Sequence, residues 1–196
     1  MENNHLESGN SFDDTYREKT EMFGHPYQEL QDYFKNHQSK GKLLDLGCGQ
    51  GRDSIFLASL GYEVTAVDIS KVGVDQMLHS ATEKGIKING IVDDVLNLQL
   101  DQKFDIILFD MLLHAFNKTQ QQELLKKYTD YLNKNGIVCI VFPDDMKADH
   151  FVSMLNSLGH KWKLLEEITI KDIPKIEGEE NDFTFVMIVV QLISRH

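Results

Sequence analysis

The sequence predicts an α/β fold with a mostly parallel sheet between layers of helix. Three observations carry this. Short runs of β-branched and apolar residues alternate with amphipathic stretches, a glycine-rich turn joins the first run to the helix after it, and the last two runs follow each other across a charged loop with no helix between. A chain of 196 residues, 41% hydrophobic and 26% charged, fits one core of this kind, and no repeat or low-complexity block interrupts it.

From the N-terminus, residues 1–12 read as a disordered polar tail and 13–196 as a single domain, with a helical cap over 13–37 and an α/β core over 41–196. The cap segment Asp13–Asn36 is helical by the spacing of Tyr27, Leu30, Tyr33 and Phe34, with Pro26 suited to a first helical position. Lys42–Leu46, Glu63–Val67, Lys87–Val92, Phe104–Phe109 and Ile137–Phe142 read as strands, each apolar enough to be covered on both faces. Ser70 caps a helix running to about Lys84, Thr119 and Gln122 make a capping-box pattern, and Gly85, Gly136 and Gly159 stand where helices stop. Trp162–Ile170 and Phe183–Ile193, separated by the loop Lys171–Asp182, pair antiparallel at the sheet edge.

Composition excludes several functions. A formal net charge of −11 repels phosphate backbones, and no basic stretch interleaved with aromatics offsets it, so a nucleic-acid partner is not expected. Met1–Ser11 has neither a basic start followed by an apolar run nor a spanning length, so no membrane association and a cytoplasmic location are expected. Cys48 and Cys139 lie far apart without paired spacing, which argues against a disulfide or zinc site.

The chemistry concentrates in Leu43–Arg52. Gly47, Gly49 and Gly51 alternate between a strand and a helix, where a tight turn needs backbone angles closed to other residues and missing side chains admit a ligand. A dinucleotide fingerprint would carry a third glycine where Arg52 stands, so a nicotinamide cofactor is disfavoured. Asp45, two residues before the first glycine, would repel a pyrophosphate and suits a ligand bearing an ammonium and a sulfonium. Asp68 ends the second strand and can accept ribose hydroxyls; Asp93-Asp94-Val95 ends the third, where a carboxylate can take an adenine amine while Val95 and Ile69 sandwich the ring; Phe109-Asp110-Met111 ends the fourth at the mouth.

These residues resemble the class I S-adenosylmethionine-dependent methyltransferases. The run LDLGCGQGRDSIFLASLGYEVTAVDIS, Leu44 to Ser70, with Asp94 and Phe104-Asp105 following, is similar in particular to the tellurite-resistance and thiopurine-type small-molecule enzymes. The resemblance implies a Rossmann-like three-layer α/β/α sandwich with a seven-stranded sheet in the order 3-2-1-4-5-7-6. It also implies S-adenosylmethionine as cofactor, a glycine loop with Cys48 on its methionine part, ribose on Asp68, adenine on Asp94 and Val95, and a small-molecule acceptor.

Methyl transfer asks mainly for alignment, since the sulfonium already activates the carbon. Where the acceptor carries a proton, His114, just past the fourth strand, has the position and intrinsic pKa of a base; otherwise it is a bystander. Arg52 opens a helix, where a cation is disfavoured, and so reads as readily as a salt bridge to Asp53 or Asp45 as a cofactor contact. Tyr16, Phe23 and Tyr27 fit packing better than a lid, and Asp110, Asp144 and Asp145 lack a third ligand at fixed spacing, so no metal is expected. Asp110-Met111-Leu112-Leu113 is not the Asn-Pro-Pro-Tyr type that methylates base or glutamine amines. The acceptor expected is a chalcogen oxyanion, a thiol or a hydroxyl, and the competing reading is a non-catalytic module that binds the cofactor or its product.

Overall fold

A computed structural model describes residues 12–19, 22–171 and 184–195. Helix α1 covers 12–18. It is followed by α2 (Gln28–Asn36), β1 (Lys42–Leu46), α3 (Arg52–Ser59), β2 (Glu63–Asp68), α4 (Lys71–Glu83), β3 (Asn89–Val92) and β4 (Phe104–Asp110). A short 3-10 turn, Leu113–Ala115, leads to α5 (Lys118–Thr129), β5 (Leu132–Pro143), α6 (Ala148–Ser157), β6 (Lys161–Ile170) and β7 (Phe185–Ser194). The strands form one sheet in the order β3-β2-β1-β4-β5-β7-β6, as the resemblance implied. Strands β1 to β5 run parallel, and β7 enters antiparallel between β5 and β6.

Alternation along the strands separates the core into two faces. Leu44, Leu46, Ile107 and Phe109 point to one, where Leu124, Leu125 and Tyr128 of α5 and Phe151 and Leu155 of α6 cover them. Leu43, Ile106 and Leu108 point to the other, beneath Leu30 and Phe34 of α2, Leu57 of α3 and Val74 and Met77 of α4. The result is three layers. Helices change face between β3 and β4, so the paired neighbours β1 and β4 feed connections that diverge at their carboxyl ends, the place where open α/β sheets take ligands. No helix among the described residues is long and apolar enough to cross a membrane.

The Ser70 cap holds, its hydroxyl accepting from Gly73 N at 3.0 Å, and Gly85 and Gly159 end their helices at φ +66° and +79°. Elsewhere the structure corrects the expectations. The cap is two helices rather than one: Gly24 turns through φ +62° and Pro26 lies ahead of the capping residue Tyr27, so it takes no helical position. The capping box uses Asn117 and Gln120, because asparagine caps at least as well as threonine and the backbone is already extended at Phe116. Gly136 ends no helix. Helix α5 stops at Thr129, and opposite Phe104–Ile106 strand β5 bulges through Asn135 at φ +63°, so the pairing moves from Phe104↔Leu132 to Ile106↔Ile137. Residues 1–11 of the expected tail, most of the loop Lys171–Asp182 and Phe183 lie outside the described residues.

Candidate active site

Strand β1 delivers the chain into a turn in which Gly47, Gly49 and Gly51 take φ of +78°, +52° and +81°. All three need a residue without Cβ, which is why they alternate. The turn is pinned to β2: Gly47 N and Cys48 N donate to the Val67 carbonyl at 2.8 and 3.0 Å, and Gly51 N closes back on the Cys48 carbonyl at 2.8 Å. Burial pushes the Cys48 thiol well up, so it stays protonated.

Asp68, at the tip of β2, accepts from Gly49 N and Ser70 N, both at 2.8 Å. It therefore couples the turn to the start of α4. Burial raises its carboxyl above the ordinary range against those donors. Asp45 lies under the turn, 2% exposed, and accepts from Ser54 Oγ at 2.5 Å. Burial, reinforced by Asp53, pushes it up to about 7.

The raised Asp45 carboxyl has a consequence for stability. The folded protein keeps the Asp45 proton to about 7, whereas the group ordinarily loses it near 3.8. Between these values the folded state binds more protons, so Asp45 lowers stability progressively as pH rises across that window. Asp45→Asn is expected to reduce the decline in urea midpoint between about pH 4 and 7; an unchanged slope would show that Asp45 titrates normally.

Arg52 begins α3 and is held by acids on two sides. Its guanidinium donates to Asp53 at 2.8 Å and to Asp110 at the end of β4, and it stacks over Tyr27 at 4.3 Å. Of the two alternative partners expected for Arg52, Asp53 is the one it takes; Asp45 instead pairs with Ser54, and Arg52 has an unexpected second partner in Asp110. Burial and the adjacent Asp53 hold Asp110 well above the carboxylate range despite Arg52. Asp110 Oδ1 is buried with no donor aimed at it.

The other expected residues lie at the ends of β2, β3 and β4 and in the segments that follow them. Asp94 caps its own turn, accepting from Leu96 N at 2.9 Å and Asn97 Nδ2 at 3.3 Å, while Asp93 accepts from Asp94 N. Val95 is buried, with its carbonyl accepting from Tyr128 and Lys127, and Ile69 is half-buried after Asp68. Phe109 packs edge-on to Tyr128 in the core, so its backbone alone reaches the strand tip. Met111 takes φ +48°, a left-handed conformation unusual for its type, with its N–H on the Val141 carbonyl at 3.0 Å. His114 is exposed on the 3-10 turn; partial desolvation by the neighbouring chain lowers its pKa, against the upward pull of Asp145, and so keeps it neutral near pH 7.

Several contributors carry no sequence signal of their own. Asp53 and Ser54 have the look of ordinary first-turn residues, and only their spacing from Asp45 hints at a shared site. Asp13, Gln50 and Gln76 fasten α1 to the turn, and Tyr16 packs over Gly49. Nothing local marks those long-range partners.

Residues 43–136 match the family model of a methyltransferase domain. The chain is 28% identical over 108 residues to a protein of Haemophilus influenzae named as a probable S-adenosyl-L-methionine-dependent methyltransferase TehB, covering 54% of this chain and 38% of that one. It is 31% identical over 106 residues to a ubiquinone biosynthesis O-methyltransferase of Rickettsia prowazekii, covering 54% and 41%. The alignments thus span about two-fifths of the length of these relatives. In fold it is similar to the N-methyltransferase NodS of Bradyrhizobium japonicum, solved with S-adenosyl-L-homocysteine: TM-score 0.72, 16% identity, 97% of each chain covered.

Proposed function

We propose that this chain, whose residues 43–136 match the methyltransferase-domain family model and whose sheet has the Rossmann-like order described above, uses S-adenosylmethionine to methylate a small molecule. One observation carries the reading: the left-handed glycine turn is ringed by Asp45, Asp53, Asp68 and Asp110, with Arg52 as the cation between two of them. A ligand carrying an ammonium and a sulfonium offers these carboxyls donors and favours their ionised forms as it binds, whereas a pyrophosphate offers no donor and repels any of them that ionises. The donorless Asp110 Oδ1 fits the same ligand sign.

In this reading Asp68 takes the ribose hydroxyls, Asp94 the adenine amine with Val95 and Ile69 at the ring, and Gly47, Cys48, Gly49, Gly51 and Arg52 the methionine part. Asp45 supports the ammonium from below, and the backbone of Phe109, Asp110 and Met111 forms the mouth. The bound sulfonium supplies an activated methyl carbon. The protein's task is to hold the acceptor's lone pair in line with it and keep water out. Where the acceptor carries a proton, neutral His114 receives it.

The acceptor we read as a soft or oxyanionic nucleophile: a chalcogen oxyanion, a thiol or a metabolite hydroxyl. The O-methyltransferase named among the relatives supports an oxygen nucleophile. The test is calorimetry with S-adenosylhomocysteine followed by transfer of a labelled methyl from the cofactor to tellurite, small thiols and phenols. Saturable binding with transfer to one of these classes is expected. Binding without transfer to any acceptor points to a non-catalytic module, and no heat of binding on folded protein ends the reading.

A further inference from the structure

The segment 12–19 is tied at three points to the glycine turn and α4, beside the proposed cofactor site. The Asp13 carboxylate accepts from Ser70 Oγ at 2.5 Å and Val72 N at 3.1 Å, on the first turn of α4 and two residues from Asp68. The Tyr16 carbonyl accepts from Gln76 Nε2 at 2.8 Å, and the Lys19 carbonyl from Gln50 Nε2, inside the glycine turn, at 2.7 Å. Between these ties Tyr16 is driven down until it is 5% exposed. Its hydroxyl stands 2.9 Å from where a Cβ on Gly49 would be, and its ring 3.0 Å from where one on Gly73 would be. Beneath it Asp68 is only 8% exposed.

A ligand that reaches Asp68 through this surface has to pass the segment 12–19. Residues 12–18 make a helix too short to persist in water unaided, so its order depends on docking and it frays once released. Arg17, paired with Asp13 and Asp14, is itself 59% exposed, so these ion pairs contribute little. The ties to Ser70, Val72, Gln76 and Gln50 therefore set how often the site opens.

Resting on the cofactor reading above, we propose that residues 12–19 are a latch that gates entry and exit of the cofactor, with Asp13 as its catch. Losing the charge-assisted hydrogen bonds of Asp13 shifts an opening equilibrium about tenfold. The experiment uses the full chain and Asp13→Ala, with Asp13→Asn as a milder second variant. Trypsin cleavage after Arg17 reports the catch, and surface plasmon resonance with S-adenosylhomocysteine reports the gate. Cleavage, association and dissociation are all expected to quicken about tenfold in Asp13→Ala, and less in Asp13→Asn, with the affinity changing far less than either rate. Unchanged cleavage overturns Asp13 as the catch. Faster cleavage with unchanged association and dissociation overturns the gate while leaving the cofactor reading intact, and no binding by the wild-type protein overturns both.

Discussion

Replacing Arg52 with methionine is expected to lower the unfolding free energy by about 3–5 kcal/mol, the cost of leaving buried acids without their cation. Three features make this position sensitive. The Arg52 side chain is 13% exposed and those of Asp53 and Asp110 are 9% and 6%, so water cannot take over its role. Both acids are held by the same guanidinium, so one substitution removes two charge-assisted contacts. Stacking over Tyr27 is lost as well, and with it the tie between the start of α3 and the start of α2. Urea denaturation at neutral pH checks the value. The loss should shrink in acid, since the raised Asp110 carboxyl takes up a proton and no longer needs a partner. Combining Arg52→Met with Asp110→Asn should restore part of the stability; a single variant within about 1 kcal/mol of wild type would mean the network is solvated.

The same network shows how far sequence reasoning reaches. The layers were legible because buried parallel strands must be apolar on both faces, the glycine turn was legible because φ above zero leaves few residue choices, and the strand order came only with the family resemblance. The acids at 45, 68 and 110 were legible as tips of consecutive strands. What was not legible is pairing across distance. Whether Arg52 turns to Asp45 or Asp110 is decided by how β1 and β4 sit side by side under α3, with Asp45 opposite Leu108 and Asp110 one strand over opposite Val141. Asp45 is satisfied by Ser54, in the first turn of α3, and so is out of competition. Local signals failed elsewhere for a related reason. Asn117 and Thr119 are both good helix caps, and the preceding 3-10 turn chose between them; Gly136 has the residue type of a helix stop but answers to crowding against Asp105 and Leu132.

Asp68→Asn is expected to weaken S-adenosylhomocysteine binding by at least about 100-fold, since two hydrogen bonds from ribose hydroxyls to a charged acceptor are lost or reversed. The substitution is close in shape, yet one end of the amide presents N–H where Gly49 N or Ser70 N now donates at 2.8 Å. One of those backbone groups then loses its acceptor, and the turn and the start of α4 part slightly. A modest drop in thermal midpoint is expected beside the large loss of binding, and calorimetry on folded protein separates the two. The raised carboxyl adds a second signature. Because burial makes Asp68 take up a proton more readily than an ordinary carboxylate, wild-type affinity should fall as the solution is acidified and the charged acceptor disappears, whereas the Asn variant, with no proton to gain there, should bind weakly with a flatter dependence. Asp45 and Asp110 titrate in both proteins, so it is the difference between the two profiles that isolates Asp68. A variant that binds within about threefold of wild type would place the ribose elsewhere and remove Asp68 from the site.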